Sequence, residues 1–196
     1  GFYAAMKFIL QGWPRETPVI IAGMAGSTQG WETTGYSECP ADVASLAQNT
    51  VSIQDKAMRP AWIVPGVRCD GVPAPEVIRG EECLVFGALQ KHPSSGFAIL
   101  PGTHSKHCSI DDGKIVSFTT SMTGEVFSLL TKHSLLKAFY QAETHSNKAF
   151  LQGVSLAKQG RPLMQDIFSA RTMPLATRMT PDDVGSYLSG ILIGHE

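Results

Sequence analysis

The chain has 196 residues, of which 43% are hydrophobic and 17% charged, and its formal net charge is −1. This composition is sufficient to bury a core, which excludes a disordered chain, and the absence of a Lys/Arg cluster indicates no nucleic-acid partner. The longest apolar runs, such as 18–25, are far shorter than the roughly 20 residues needed to cross a bilayer, so no membrane association is predicted.

Strand and helix signals alternate along the first half of the chain, which favours an α/β fold. The predicted elements are the end of a helix over 2–10, a buried strand over 17–22, a loop over 23–40, a helix over 41–47, a strand over 61–64, a loop over 66–75 and a helix over 76–91. The loop over 23–40 is rich in Gly, Thr and Ser, and loops of that length are usually functional.

The second half begins with three short strands and continues with helices. Strands are predicted over 97–100, 107–110 and 115–121, and helices over 123–140, over 147–158 and from Pro181 onward. Asp111-Asp112-Gly113 supplies hairpin turn residues, and Thr180 before Pro181 is a strong helix-start signal.

The turn between the first two of these strands, Pro101-Gly102-Thr103-His104-Ser105-Lys106, is a candidate phosphate site. A turn of small residues lets main-chain N–H groups point at an anion, and hydroxyl and ammonium groups add donors. It is not a Walker loop, which has two glycines flanking four residues before Lys-Ser/Thr. The alternative is an ordinary hairpin turn that binds nothing.

The predicted helix over 76–91 carries two glycines, Gly80 and Gly87, seven residues apart on one face. A glycine inside a helix costs close to 1 kcal/mol relative to alanine, so we expect close packing or room for a ligand there. Glu81 and Glu82 lie beside this gap, and only one can face a cleft because neighbouring side chains diverge by about 100°. The alternative is a pair of solvated surface glutamates.

The four cysteines, at positions 39, 69, 83 and 108, form no C-x-x-C pair. We therefore predict reduced thiols in a cytoplasmic protein and neither a zinc ribbon nor a redox motif. His104 and His107, with Cys108, lie in a turn and a strand rather than on one helix face, so no protein metal site is predicted.

Seven segments of the chain resemble, in order, those of the 2-dehydro-3-deoxygalactonokinase family, sugar-acid kinases of the actin/hexokinase-like ATPase superfamily. They are IIAGMAGSTQGW (20–31), CPAD (39–42), IVPGVRCDG (63–71), VIRGEE (77–82), LPGTHSKH (100–107), TTSMTGEVFSLL (119–130) and YLSGILIGHE (187–196). LPGTHSK and MTGE are the most specific of them.

The resemblance implies an RNase H-like two-domain kinase fold of the actin/hexokinase/Hsp70 type, incomplete at both ends. Residues 1–95 would form the latter part of the first domain and its connecting helix, on the sugar-acid side. Residues 96–196 would open the second domain with the phosphate hairpin and the helices after it. The first phosphate hairpin and the Gly-rich adenosine segment are missing, so we interpret the chain as a central fragment that is inactive in isolation.

The function implied by the resemblance is ATP-dependent phosphorylation of 2-dehydro-3-deoxy-D-galactonate to its 6-phosphate in galactonate degradation, with ATP and Mg²⁺ as cofactors. The sugar acid and ATP would be the partners, and a homodimer is the assembly considered. A non-catalytic sugar-binding sensor of the same fold is the alternative, and a structural ATPase-fold partner is a third interpretation.

The resemblance also implies roles for individual residues. A carboxylate about 20 residues before the phosphate turn would be the catalytic base; Glu81 and Glu82 lie 21 and 20 positions before Gly102, and Glu81 is the favoured one. The phosphate ligands would be Gly102, Thr103, His104, Ser105 and Lys106. The sugar site would be lined by Ser27, Gln29 and Trp31, with Arg68 or Arg79 paired with the substrate carboxylate, since arginine offers a bidentate fork.

Overall fold

A computed structural model describes residues 1–53, 59–71, 73–141 and 144–196. Helices and strands alternate in them, which confirms the α/β prediction. The helices are α1 Phe2–Ile9, α2 Val43–Gln48, α3 Glu81–Leu89, α4 Thr123–His133, α5 Asn147–Ala157, α6 Leu163–Leu175 and α7 Pro181–Gly194. The strands are β1 Val19–Ile21, β2 Tyr36–Glu38, β3 Val51–Ser52, β4 Ala61–Ile63, β5 Gly66–Cys69, β6 Glu76–Ile78, β7 Gly96–Leu100, β8 Ser105–Asp111 and β9 Lys114–Ser121.

The described strands form three sheets of three strands each, in the orders β1-β4-β3, β2-β5-β6 and β7-β8-β9. In the first two sheets one pair is parallel, β1 with β4 and β2 with β5. The third strand of each is antiparallel to its neighbour, β3 to β4 and β6 to β5.

The structure corrects the sequence prediction between residues 66 and 91. Residues 66–69 form β5 rather than a loop, and residues 76–78 form β6 rather than the start of a helix. Val67 pairs with Ile78 across the two strands, and both side chains are buried. Burial of this apolar pair outweighs the turn chemistry of the Gly, Asp and Pro residues after Val67. It also outweighs the helix-like spacing of the apolar residues that begins at Val77.

The sequence prediction placed Gly80 inside a helix, and this prediction is wrong. Gly80 is the N-cap of α3 and has a positive φ of 113°, which glycine adopts without strain. Gly87 remains in the helix, but a Cβ there would meet no described atom within 4 Å. The expected close packing at Gly87 is therefore not found within the described part of the chain.

Three other differences concern the extent of the predicted elements. The loop over 23–40 contains a 3-10 helix, Met24–Gly26, and strand β2. The helix predicted over 123–140 stops at His133, and a 3-10 helix, Leu135–Phe139, follows. Ser134 separates them, with its hydroxyl accepting a hydrogen bond from Leu136 N. Helix α6 has no counterpart in the sequence prediction.

The hairpin between β8 and β9 confirms the predicted turn. Asp112 and Gly113 both have positive φ, 47° and 72°. Two successive residues of this kind form the turn type whose twist matches that of the flanking strands. Thr180 and Pro181 likewise take the N-cap and first-turn positions of α7, as predicted.

The chain divides into two compact units, the first comprising residues 1–100 and 106–120. Its core contains eleven buried residues: Ala41, Leu46, Val64, Val67, Ile78, Val85, Phe86, Cys108, Ile110, Ile115 and Phe118. Ala41 and Ile115 exchange two main-chain hydrogen bonds, which connect the loop after β2 to β9. All four cysteines lie within the described residues and are free thiols.

The second unit comprises residues 101–105 and 121–196 and is built on helices. Its core contains ten buried residues: Leu136, Ala149, Ile167, Ala170, Met179, Val184, Tyr187, Leu188, Ile191 and Leu192. Strands β7 to β9 group largely with the first unit, whereas the predicted domain boundary between residues 95 and 96 precedes them. That boundary, and the RNase H-like classification, stay predictions. Across the described residues no helix is long and apolar enough to cross a membrane.

Candidate functional site

Glu81 and Glu82 are the first two residues of α3. Strand β6 ends at Ile78, and Gly80 turns the chain sharply into the helix. Two carboxylates in a first turn are favourable at the positive end of the helix dipole. The two glutamates therefore stabilise the first turn of α3, and the candidate base is one of them.

The carboxylate of Glu81 is fixed by two partners. Lys106 Nζ lies 2.8 Å from its Oε1, and Arg79 N donates to its Oε2 at 3.1 Å. Burial by itself raises the pKa of Glu81. The hydrogen bond and charge of Lys106, with the main-chain N–H groups of Glu81 and Arg79, outweigh burial and hold this pKa below its ordinary value. The side chain remains 26% exposed, so Glu81 is an ionised carboxylate within reach of a ligand.

Glu82 has the opposite environment. Its side chain is fully buried, and Gly80 N donates to Oε1 and Oε2 at 2.8 and 2.6 Å. Burial raises the pKa of Glu82 above its ordinary value, although the main-chain hydrogen bonds oppose that effect, and the nearby charge of Glu81 raises it further. The two neighbouring carboxylates thus differ in access and in the direction of their pKa shifts. The choice of Glu81 as the base stays a prediction that this geometry supports.

Lys106 points toward the interior of the first unit. Along β8 the side chains of Lys106, Cys108 and Ile110 are buried, while those of His107 and Ser109 are intermediate. This alternation follows from the two-residue period of a strand. The ammonium group that the sequence analysis assigned to phosphate is therefore bound to Glu81.

The turn at residues 101–105 is held against the start of α4, within the second unit. Glu125 N donates to Thr103 O at 3.0 Å, and His104 Nε2 lies 2.5 Å from Glu125 Oε2. A Cβ on Gly124 would lie 2.6 Å from Gly102 O and 2.8 Å from Thr103 Cα. Only glycine at position 124 permits this approach of the turn to the helix.

Gly102 itself is not required by the fold. A Cβ there would meet no described atom within 4 Å, and its φ is not in the left-handed region. Any requirement for glycine at this position would therefore come from a ligand. The clearance for phosphate at Gly102 stays a prediction.

The loop over 23–34 closes on itself through main-chain hydrogen bonds. Ala25 O accepts from Trp31 N at 2.7 Å, and Gly26 O accepts from Thr34 N at 3.0 Å. A Cβ on Gly30 would lie 2.3 Å from Ala25 O. The loop is thus a compact, defined structure that can present side chains in fixed directions.

The Arg79 side chain stabilises this loop by hydrogen bonds to its C-terminal end. Its Nη1 donates to Thr34 Oγ1 at 2.5 Å, and its Nη2 donates to Thr34 O and Gly35 O, both at 3.2 Å. The guanidinium lies over the Tyr36 ring, 4.5 Å from the centroid. Its Nε is buried and has no acceptor among the described residues. Much of the donor capacity predicted for a substrate carboxylate is therefore directed at the protein.

The other predicted sugar-site residues are spread along the same unit. Ser27 Oγ accepts from Gln29 N at 3.3 Å, and the Trp31 ring stacks on Phe2 with centroids 6.1 Å apart. Arg68 is exposed and pairs with Asp70 at 2.7 Å. Their assignment to a substrate stays a prediction.

Sequence reasoning missed the roles of Thr34, Gly124 and Glu125 in holding these segments. Gly124 and Glu125 belong to the MTGE motif, so a signal existed, but the approach of turn to helix is a tertiary contact. Thr34 carried no signal that distinguishes it from its loop neighbours. Within the described ranges there is no group of three or more His, Cys, Asp or Glu side chains arranged to hold a metal ion.

The family model described as 2-keto-3-deoxy-galactonokinase matches residues 1–196. The chain is 34% identical over 194 residues to a 2-dehydro-3-deoxygalactonokinase of Escherichia coli (strain K12), covering 98% of this chain and 65% of that protein. It is 37% identical over 189 residues to a Rhizobium meliloti (strain 1021) protein named "Probable 2-dehydro-3-deoxygalactonokinase DgoK1", covering 93% of this chain and 61% of that protein.

A solved structure agrees with these matches. The crystal structure of a Sinorhizobium meliloti protein described as a 2-dehydro-3-deoxygalactonokinase superposes with a TM-score of 0.91 at 34% identity. It covers all of this chain and 67% of the solved one. The chain thus spans 61 to 65% of the length of the two curated relatives.

Proposed function

Because the chain belongs to the 2-keto-3-deoxy-galactonokinase family, we propose that the protein containing it phosphorylates 2-dehydro-3-deoxy-D-galactonate at the 6-hydroxyl, with MgATP as the phosphoryl donor. The family match along all 196 residues supports this reaction class. The RNase H-like two-domain fold, divided near residue 95, is part of the proposal.

The observation that carries the proposal is the Glu81 carboxylate, which is fixed by two partners and still 26% exposed. In the proposed step Glu81 accepts the proton of the sugar hydroxyl as the oxygen attacks the γ-phosphorus. The new O–P bond forms while the bond from that phosphorus to the β–γ bridging oxygen breaks, and ADP leaves with the bond's electrons. Such transfers depend mainly on positioning and on electrostatic stabilisation.

The turn from Gly102 to Ser105 is proposed to bind phosphate. Gly102 offers an approach that no described side chain blocks, and the exposed Thr103 hydroxyl adds a donor. Contacts with α4 at Gly124 and Glu125 hold the turn in one conformation, which lowers the entropic cost of ligand binding.

The loop over 23–34 is proposed to present Ser27, Gln29 and Trp31 to the sugar acid. Main-chain hydrogen bonds within the loop, and the hydrogen bond from Arg79 to Thr34, hold the loop that carries these side chains in one conformation. Arg68 is proposed as the partner of the substrate carboxylate, because its exposed fork can exchange Asp70 for the ligand.

The substitution Glu81→Gln in the full-length protein tests the proposal. It keeps the size of the side chain and removes the proton acceptor, so turnover should fall about 10²- to 10⁴-fold. The KM values for ATP and sugar acid should change little. A coupled ADP-release assay measures all three quantities.

Glu82→Gln is the matched control, since it makes the same chemical change one residue along the helix. Its effect on turnover should be much smaller, because Glu82 is buried. A larger loss at Glu82 would reassign the base to that residue, and full activity in both variants would show that neither carboxylate takes part. Absence of sugar-acid-dependent turnover in the native full-length protein would reject the kinase and favour a binding module.

A further inference from the structure

Lys106 is a buried cation whose environment differs from that of a ligand-facing lysine. Its side chain is 6% exposed and lies on the same face of β8 as Cys108 and Ile110, two members of the first unit's core. A buried ammonium group is costly unless a charged partner compensates for its lost hydration. Glu81 Oε1, at 2.8 Å, supplies that charge.

The pair also fixes the direction of the Glu81 carboxylate. Lys106 engages Oε1, and the main-chain N–H of Arg79 engages Oε2. A carboxylate has about four lone-pair positions, so these two bonds orient the group while leaving positions for a substrate hydroxyl. The exposed quarter of the side chain provides the access.

Few other titratable groups act on Glu81 within the described residues. Glu82 on the same helix is buried, and burial raises its pKa. Cys108 on β8 has its pKa raised to about 11, mainly by burial, so it is a neutral thiol near pH 7. Lys106 is therefore the cation that acts on Glu81 in this part of the first unit.

We propose that Lys106 is a positioning residue that aims the Glu81 carboxylate and keeps it ionised, rather than a ligand of the ATP phosphates. The proposal rests on the proposed function, since it assigns a partner to the base of that reaction. A cation beside the Glu81 carboxylate makes that carboxylate a weaker proton acceptor but keeps it ionised at lower pH. Because the transition state of phosphoryl transfer is loose, a fixed charge matters more than high basicity.

The test is Lys106→Met in the full-length protein, which keeps a long apolar stem and removes the charge. An adjacent opposite charge lowers a carboxyl pKa by about 1 to 3 units, so the acidic limb of the kcat/KM–pH profile should move up by about one unit or more. The KM for ATP should stay within about twofold of native, because no phosphate contact is lost. Lys106→Arg keeps the charge, so the acidic limb of its kcat/KM–pH profile should lie closer to the native position than that of Lys106→Met.

Lys114→Met on β9 is the matched control. Lys114 is exposed and lies 3.9 Å from Asp42, so its removal should leave the acidic limb unmoved. An ATP KM raised about tenfold in Lys106→Met, with an unmoved acidic limb, would make Lys106 a phosphate ligand and overturn the proposal.

If Lys106→Met does not fold, the side-chain nitrogen signal of Lys106 can be followed by NMR in ¹⁵N-lysine-labelled protein. The proposal expects this signal to shift in Glu81→Gln and to stay in place when ATP is added to the native protein. A shift with ATP alone would overturn it. If Glu81→Gln loses turnover but the acidic limb of Lys106→Met does not move, only the role of Lys106 is rejected. If Glu81→Gln keeps its turnover, the proposed base is rejected as well.

Discussion

Adjacent residues of the same type have different chemistry in this protein. Glu81 and Glu82 follow each other on α3, but one is ion-paired and partly exposed and the other is fully buried. Helix geometry makes this division unavoidable, because neighbouring side chains point about 100° apart. Their pKa values consequently move in opposite directions, below the ordinary value for Glu81 and above it for Glu82.

The raised pKa of Glu82 predicts a pH-dependent stability effect. The folded protein holds the Glu82 proton more tightly than the unfolded chain, so this stabilisation is present below the unfolded pKa and is lost as pH rises through the folded pKa. Glu82→Gln removes that loss. Its free energy of unfolding should therefore increase relative to that of the native protein as the pH rises above the ordinary glutamate pKa of about 4.3. Urea unfolding midpoints at several pH values measure this difference, and a gap that is constant or narrows with rising pH would contradict it.

At the scale of elements, glycines set how closely two helices approach. A Cβ on Gly190 of α7 would lie 2.0 Å from Phe150 O, and a Cβ on Gly153 of α5 would lie 2.2 Å from Tyr187 O. Each helix thus presents a glycine to the main chain of the other. Because the neighbouring atoms are backbone, no side-chain rotation can relieve an added methyl group, and the helices would have to separate.

Gly190→Ala is therefore expected to destabilise the protein, even though alanine favours a helix by about 1 kcal/mol. Overpacking typically costs about 1 to 3 kcal/mol and more where the backbone must move, so the net free energy of unfolding should fall by roughly 1 to 2 kcal/mol or more. Denaturant titration gives this value.

Gly87→Ala on α3 is the control for that substitution. A Cβ there meets no described atom within 4 Å, so only the helix propensity changes. We expect a gain of about 0.5 to 1 kcal/mol. Equal effects at positions 87 and 190 would show that helix packing does not explain the glycine at 190.

At the level of the whole molecule, the described residues form two hydrophobic cores that share no residue. One is formed by strands with α2 and α3, the other by helices of the second unit. Compact units with separate cores can open separately in native proteins. The candidate base belongs to the first unit and the candidate phosphate turn to the second.

Leu188→Ala tests whether the second core opens by itself. Leu188 is fully buried, and truncation of such a leucine costs about 2 to 5 kcal/mol. Hydrogen exchange should show lost protection at the amides of α5 and α7, with protection retained in β4, β5 and β8. Val67→Ala in the first core should give the reverse pattern. A uniform loss in either variant would mean that the chain unfolds as a single unit.

Features whose cause is local can be predicted from the amino-acid sequence. The Asp112-Gly113 turn and the start of α7 at Pro181 depend on backbone preferences of the residues present, so both predictions are confirmed. The order of motifs likewise indicated the family before any fold was known, since long ordered strings rarely coincide by chance. The alternation of strand and helix signals was enough for the α/β class.

The partners that the chemical groups contact depend on the tertiary structure. The direction of Lys106 depends on the register of β8 and on the position of α3, and the burial of Glu82 depends on the core beneath that helix. Strands β5 and β6 were missed because Val67 and Ile78, eleven residues apart, gain their stability from pairing with each other. The glycines at 153 and 190 resemble any others in the sequence, and the motif that contains Gly124 does not indicate which segment that glycine contacts. Their necessity comes from the backbone of another segment, which local sequence does not encode.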